Sequence, residues 1–319
     1  MRSRILALFL LCSLLVGGAA TAPVIPVEAN ACLAASPVAI SGTPGVAAFP
    51  VTITDDVGRQ VVLQEAPQRI VSIAPSNTEI LFALGLGEKV VAVDQYSDYP
   101  PEAEQKPQLG SYVKPDLEQI VAAAPDLVLA TGVHEETVVP QLEALRLTVA
   151  VIDPEDLDDV FDGIGLVGRI TGQDARATGL VCELLDRVDA VAERINGAPR
   201  PRVFFELSPE LHTAGPDSFI DDLISRAGGE NIAAGATEEW PQLSAEVLLE
   251  QDPEVILLAD EAAGVSPDQV RTRPGWQQVT AVEQDRIVAI DPDLTNRPGP
   301  RVVDGLEAIA RALHPERFP

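Results

Sequence analysis

The sequence is poor in residues that build several common kinds of site. Of its 319 residues, three are cysteine, three are histidine and 4% are aromatic. Three cysteines cannot form a disulfide scaffold, and three widely separated histidines do not form a zinc site. The sequence also contains no Gly-x-Ser-x-Gly, Walker A or His-Glu-x-x-His signature. These absences argue against an enzyme.

Basic residues are scarce as well. The chain has 22 Lys and Arg against 49 Asp and Glu, which gives a formal net charge of −27. Such a charge repels nucleic acid and anionic lipid, so we exclude nucleic-acid binding as a primary role. Apolar residues make up 46% of the chain, enough for sizeable cores. The length predicts about two domains.

The N-terminus, 1–31, is predicted to be an export signal. Arg2 and Arg4 precede an apolar run over 5–16 that is too short for a comfortable membrane span. Since no other run approaches spanning length, the mature chain is predicted to have no transmembrane segment.

Cysteine marks the end of this signal. Small residues at Ala29 and Ala31 precede Cys32, which resembles the lipidation site of a bacterial lipoprotein. Ordinary cleavage after Ala20 or Ala31 is the alternative. Lipidation would tether the protein to a membrane without making it a membrane protein. Apolar neighbours predict a buried structural thiol at Cys182.

After a predicted flexible tether over 32–48, the chain alternates between strands and helices. Short apolar runs suit strands that are covered by helices on both faces. The predicted strands are 51–54, 60–63, 69–74, 90–93, 127–130, 148–152, 203–207, 255–259 and 287–290. We therefore predict an α/β fold with two Rossmann-like lobes, 49–155 and 198–319.

The segment between the lobes, 156–197, has almost no strand signal. Apolar residues recur there every three or four positions, namely Ala177, Leu180, Leu184, Val188, Val191 and Ile195. This spacing predicts an amphipathic helix of roughly 20 residues and about 30 Å. A single long helix would therefore join the lobes; a peripheral helix on one lobe is the alternative. Earlier, Ser76 and Glu79 form a predicted capping box that opens a helix over 80–84.

A weak internal repeat relates 117–129 to 245–257. Each copy has a Glu seven residues before a Pro, followed by an acidic residue and a buried strand. Pro115 suits the first turn of the first helix, and Ser244 suits the N-cap of the second.

The repeat places Glu118 and Glu246 in the first turns of equivalent helices. A carboxylate there is favoured by the helix dipole alone. Equivalent positions on two facing lobes would also present both carboxylates on one rim, where a partner with two spaced arginines could bind them.

The chain resembles the substrate-binding proteins of bacterial ABC importers, in the group for corrinoids, ferric siderophores and haem whose lobes are joined by one rigid helix. The resemblance covers about 51–313, and its general hallmarks lie at 51–59 and 69–94. Three stretches are similar to the vitamin B12-binding members of the group: Tyr-Ser-Asp-Tyr-Pro-Pro at 96–101, Trp-Pro-Gln-Leu-Ser-Ala-Glu at 240–246 and Asp-Leu-Thr-Asn-Arg-Pro-Gly-Pro-Arg at 293–301.

This resemblance implies an extracytoplasmic, monomeric binding protein without a cofactor of its own. Its ligand would be a corrinoid held between the lobes, and its partners would be an ABC permease and the attached ATPase. The implied ligand contacts are Tyr96, Tyr112, Trp240, Asp293 and Arg297. Glu118 and Glu246 fall at the docking carboxylates for the permease.

The chain also departs from that pattern. Tyr112 stands where a Trp is expected, and Thr131 and Leu207 occupy other aromatic positions. His212 lies near a third expected aromatic position and could ligate a metal, hydrogen-bond an amide or be structural. His134 and His314 are predicted to lie at the surface.

A ferric siderophore or haem is the alternative ligand. Anionic iron complexes need several basic residues, and the predicted cleft offers mainly Arg297 and Arg301.

Overall fold

The computed structural model describes residues 49–260 and 264–318, all within the compact unit Val38–Pro319. The predicted signal segment, the tether and Cys32 lie outside the described residues. Cys182 is half-buried and disulfide-bonded. The prediction of a structural thiol at Cys182 is therefore wrong.

The first lobe has a hairpin and a four-stranded sheet. Strands β1 (Val51–Thr54) and β2 (Gln60–Leu63) pair antiparallel. The sheet follows with β3 (Ile70–Ser72), β4 (Val90–Val93), β5 (Leu127–Ala130) and β6 (Val149–Val151), all parallel, in the order β4-β3-β5-β6. Their residues are almost all buried, as expected for strands covered on both faces.

The second lobe repeats this arrangement. Its parallel strands are β7 (Arg202–Glu206), β8 (Glu230–Asn231), β9 (Val255–Leu258) and β10 (Ile287–Ala289), in the order β10-β9-β7-β8. In each lobe the first strand lies between the second and the third, and the fourth lies outside the third. Every strand predicted from the sequence is present; β8, which has only two residues, was not predicted.

Helices connect the strands. In the first lobe they are α1 (Pro75–Ala83), α2 (Leu117–Ala122) and α3 (Val139–Ala144). Between the lobes lie α4 (Leu157–Thr171) and α5 (Asp174–Ile195). The second lobe contributes α6 (Phe219–Arg226), α7 (Ala245–Gln251), α8 (Pro267–Arg271), α9 (Thr280–Glu283), α10 (Pro292–Thr295) and α11 (Val302–Leu313).

Helix α1 starts earlier than the sequence predicts. Pro75 occupies its first position, and the N-cap residue Ala74 has no side-chain cap. Proline suits this position because its φ is already helical and it has no N–H to satisfy. Ser76 and Glu79 therefore lie inside the helix, and the predicted capping box is wrong.

The connection between the lobes contains two helices, of which α5 is the long one predicted. Gly172 ends α4 in the left-handed conformation (φ 72°), a backbone geometry that glycine adopts without strain. The 22 residues of α5 span about 33 Å. Near its start, Arg176 lies over Gly85 of the first lobe, and at its end Ile195 lies against Gly228 of the second.

One apolar core runs through both lobes and this connection. It contains Ile70 and Leu129 from the first sheet, Val203 and Leu257 from the second, and Leu184 of α5. Ion pairs of 2.5 and 2.9 Å from Arg187 to two carboxylates of α11, Asp304 and Glu307, fix the same helix to the second lobe. Among the described helices, none is long and apolar enough to cross a membrane.

Leu184→Ala tests whether α5 supports both lobes. Leu184 is only 3% exposed, so its truncation leaves a cavity and should lower the free energy of unfolding by about 2–4 kcal/mol. Glu183→Ala, on the exposed face of the same turn, should change it by less than about 0.5 kcal/mol. Urea unfolding measures both variants. Equal stability of the two would contradict the shared core.

Candidate functional site

The carboxyl ends of both parallel sheets face a cleft between the lobes. From the first lobe, Ser76, Tyr96, Thr131 and Asp153 line it, each shortly after a strand. From the second lobe, Leu207 after β7 and the segment after β10 line it. Ligands of open α/β sheets bind at this edge, so the fold itself defines the cleft as the candidate site.

The cleft contains two adjoining cavities of about 760 and 290 Å³, which share Asp153, Pro154, Asn296 and Pro298. The larger lies mainly against the second lobe, and Trp240 lines it. The smaller contains Tyr96, Tyr112, Asp293 and Arg297. Five of the six residues predicted to bind ligand are thus brought to one cleft.

Tyr96 is held by polar groups beneath it. Its backbone N–H donates to Oδ1 of Asp94 (2.8 Å), and the hydroxyl of Ser97 donates to Oδ2 of the same residue (2.5 Å). Asp94 is fully buried, and burial raises the pKa of its carboxyl although both hydrogen bonds oppose the rise. Tyr96 remains 50% exposed and lines the smaller cavity, where it is available to a ligand.

Trp240 is fixed through the backbone around it. The N–H groups of Thr213 and Gly215 donate to the carbonyls of Pro241 (3.0 Å) and Glu239 (2.7 Å). A Cβ at Gly215 would lie only 2.2 Å from the carbonyl oxygen of Glu238, so only glycine allows this close approach. Trp240 remains 46% exposed and lines the larger cavity.

Tyr112 is supported by His134, which is fully buried and not at the surface as predicted. The N–H of Thr131 donates to Nδ1 of His134 (3.2 Å), which assigns the proton to Nε2; that nitrogen lies 2.6 Å from the carbonyl oxygen of Tyr112. The two rings meet edge to face at 5.3 Å. Burial lowers the pKa of His134. His134 is a support for the cleft wall that the sequence reasoning missed.

The other two histidines lie elsewhere. His212 lines neither cavity, and its Nδ1 is 2.9 Å from the hydroxyl of Ser208. The structure does not bring it into the cleft with the other predicted ligand contacts. His314 is buried, with Nε2 3.1 Å from the carbonyl oxygen of Ala227, so its predicted surface position is wrong.

Arg297 joins the two lobes across the smaller cavity. Its guanidinium makes ion pairs with Asp98 of the first lobe (2.5 Å) and with Asp293 of the second (2.8 Å). The hydrogen bond from Arg297 lowers the pKa of Asp98. The guanidinium charge is therefore already balanced by carboxylates.

A second arginine makes a parallel contact. Arg301 donates to both carboxylate oxygens of Glu79, at 3.0 and 2.6 Å, and its guanidinium stacks 4.0 Å from the ring centre of Tyr99. Burial raises the pKa of Glu79, and the contact with Arg301 opposes that rise. Bidentate pairs of this kind fix geometry as well as charge. Ion pairs from both arginines thus hold the lobes together beside the smaller cavity.

Glu118 and Glu246 lie in the first turns of α2 and α7, as predicted. Asp116 caps α2 by accepting from the N–H groups of Glu118 and Gln119, and Ser244 caps α7. Pro115 precedes the α2 cap and is not in the helix. Both glutamates are exposed, and within the described residues neither carboxylate has an ion pair or a side-chain hydrogen bond.

The comparisons with known proteins agree with this geometry. The model of a periplasmic binding protein family matches residues 70–294, which include both sheets, the joining helices and most of the cleft. The chain belongs to the periplasmic binding protein family. It is a substrate-binding protein of the ABC transporter type and not an enzyme.

Individual relatives show which kinds of substrate-binding protein this chain is similar to. The chain is 34% identical over 282 residues to the uncharacterized ABC transporter substrate-binding lipoprotein YvrC of Bacillus subtilis, covering 85% of this chain and 87% of YvrC. It is 34% identical over 276 residues to a cobalamin-binding protein of Halobacterium salinarum, covering 83% and 74%. The apo structure of the haem-binding protein RhuT from Roseiflexus matches with a TM-score of 0.71 at 30% identity, covering 78% and 99%.

The described residues of this binding protein contain no group of three or more His, Cys, Asp or Glu side chains arranged to hold a metal ion. The cleft instead provides aromatic faces and backbone-anchored loops, and Arg297 beside its smaller cavity is paired with carboxylates. Such a site can bind a large ligand through apolar area and a few polar contacts.

His134→Gln tests the support beneath Tyr112 through pH. Because burial lowers the pKa of His134 below its ordinary value of 6.5, the unfolded chain binds the proton first as the pH falls. The neutral ring therefore contributes stability above about pH 6.5 that is lost in more acidic solution. The difference in unfolding free energy between wild type and His134→Gln should shrink from about pH 7.5 to pH 5. A constant difference would contradict the buried neutral imidazole.

Proposed function

We propose that this protein captures a corrinoid of the cobalamin type in the interlobe cleft and delivers it to an ABC permease, whose ATPase drives uptake. The observation that carries this proposal is the cleft itself: a cavity of about 760 Å³ with Trp240 on one wall and Tyr96 and Tyr112 on the wall of the adjoining cavity. Large flat ligands bind through apolar faces of this kind.

The charges of the cleft favour a corrinoid over an anionic iron complex. Catecholate siderophores and the propionates of haem need unpaired basic groups. The two candidate arginines, Arg297 and Arg301, are instead bound to Asp98, Asp293 and Glu79. Freeing Arg301 would leave the buried carboxylate of Glu79 without its partner, and freeing Arg297 would leave Asp98 and Asp293 unpaired; both oppose binding of an anion.

The relatives support the same choice. The halobacterial relative is a cobalamin-binding protein, and three stretches of this chain resemble vitamin B12 binders. A haem or ferric siderophore protein is the second candidate, supported by the structural match to haem-binding RhuT. The loss of expected aromatics at Thr131 and Leu207, which line the two cavities, alters the ligand contacts on both walls.

A titration tests the ligand. Cyanocobalamin should quench the tryptophan fluorescence of the purified protein, whereas haem and a ferric catecholate should not. Trp240→Ala should weaken cyanocobalamin binding by about 1–3 kcal/mol because an aromatic anchor is lost. Leu145→Ala, an exposed apolar residue that lines neither cavity, is the control and should leave the affinity unchanged. Binding of haem with no binding of any corrinoid would refute the proposal.

Delivery is proposed to use Glu118 and Glu246. Each projects from the start of a helix, one on each lobe, without a competing partner among the described residues. A permease with two spaced arginines could bind both through charge-assisted hydrogen bonds. The protein would act as an extracytoplasmic monomer.

Glu118→Ala combined with Glu246→Ala tests this docking. The double variant should abolish corrinoid uptake by cells while its own affinity for cyanocobalamin stays within a few-fold, because neither residue lines a cavity. Glu65→Ala combined with Glu283→Ala removes the same charge from exposed positions outside α2 and α7 and should leave uptake intact. A large loss of ligand affinity in the first double variant would argue against docking.

A further inference from the structure

The larger cavity is lined by acidic side chains and no basic ones among the described residues. Three acids come from the second lobe, Asp217, Glu238 and Glu239, and two from the end of the first, Asp153 and Glu155. All five are exposed, so they lie where a bound ligand would meet the cavity mouth.

These carboxylates lack balancing charges. Asp153 accepts a hydrogen bond from the N–H of Gly132 (2.9 Å). Within the described residues the other four have no ion pair and no side-chain hydrogen bond. The basic groups of the cleft, Arg297 and Arg301, are bound to other acids beside the smaller cavity.

The electrostatic potential therefore differs between the two cavities of the cleft. Around the smaller cavity, positive and negative groups alternate and largely cancel. Around the larger cavity, negative groups of both lobes converge on one concave space, which focuses their potential. A chain with a net charge of −27 reinforces this sign at longer range.

We propose that the larger cavity selects among corrinoids by charge, favouring cationic forms over neutral ones and rejecting anionic ones. Glu238 and Glu239 are the selectivity residues, because they immediately precede Trp240 in the sequence and line the same cavity. This inference rests on the proposed corrinoid function and adds the charge of the preferred ligand to it.

The size of the effect follows from Coulomb's law. Several carboxylates about 10 Å from a ligand charge in a watery site give roughly three- to tenfold in affinity for each unit of charge. The effect should shrink as salt rises, since the screening length falls from about 10 Å at 0.1 M to about 3 Å at 1 M.

Three probes of one size separate charge from shape: aquacobalamin, with one positive charge; cyanocobalamin, which is neutral; and a monocarboxylic acid of cyanocobalamin, with one negative charge. At low salt near pH 6 we expect affinity to fall in that order. The absorption spectrum of bound aquacobalamin checks that no protein side chain has replaced its water on cobalt. In 1 M salt the affinities should converge.

Glu238→Gln combined with Glu239→Gln should reduce the spread among the three probes several-fold. Glu65→Gln combined with Glu283→Gln is the matched control, because it makes the same change in net charge at exposed positions that line neither cavity. The spread of affinities among the three probes should be unchanged in this variant. If no probe binds, the corrinoid function itself fails. If all three bind equally, or the spread survives in the first variant, the function stands and the charge selection is wrong.

Discussion

The structure depends on an apolar core that the two lobes share through the joining helices. Residues of both sheets and of α4 and α5 belong to one buried cluster, so the lobes are not separate bodies on a loop. Interiors packed in this way resist deformation. The cleft between the lobes is therefore pre-formed, and the spacing of its two walls is set before a ligand binds.

The arginine pairs complete this constraint on the polar side. Arg297 and Arg301 lie between α10 and α11 and contact Asp98 and Glu79 on the opposite lobe. Buried ion pairs contribute little net stability, because desolvation offsets their attraction. Their value here is geometric, since bidentate contact fixes the position of one lobe against the other. They also remove from the cleft the positive charge that an anionic ligand would need.

The sequence was sufficient for the pattern of strands, the long helix and the paired glutamates, because each depends on residues close together in the chain. Alternating apolar runs indicate buried strands, and the three- and four-residue spacing in 177–195 indicates the helix. The cleft residues Tyr96, Trp240 and Arg297 could be named from their resemblance to known binders, although that resemblance does not reveal the contacts of Arg297.

The predictions that failed concern residues whose contacts are distant in sequence. Glu79 looks like part of a cap, yet its partner Arg301 is 222 positions away. His134 sits beside two glutamates and looks exposed, but the turn Gly132–His134 carries its ring inward to Tyr112. The short strand β8 forms because its neighbour β7 offers an open edge, and two residues carry too little pattern to be recognised.

The identical strand order of the two lobes has a further consequence. Equivalent helices, α2 and α7, begin at equivalent places with a glutamate in each first turn. A single chain can thus imitate a two-fold symmetric object at the surface where these helices start. A receptor built from two identical subunits could then contact it with the same side chain from each subunit, whatever the shape of the ligand between the lobes.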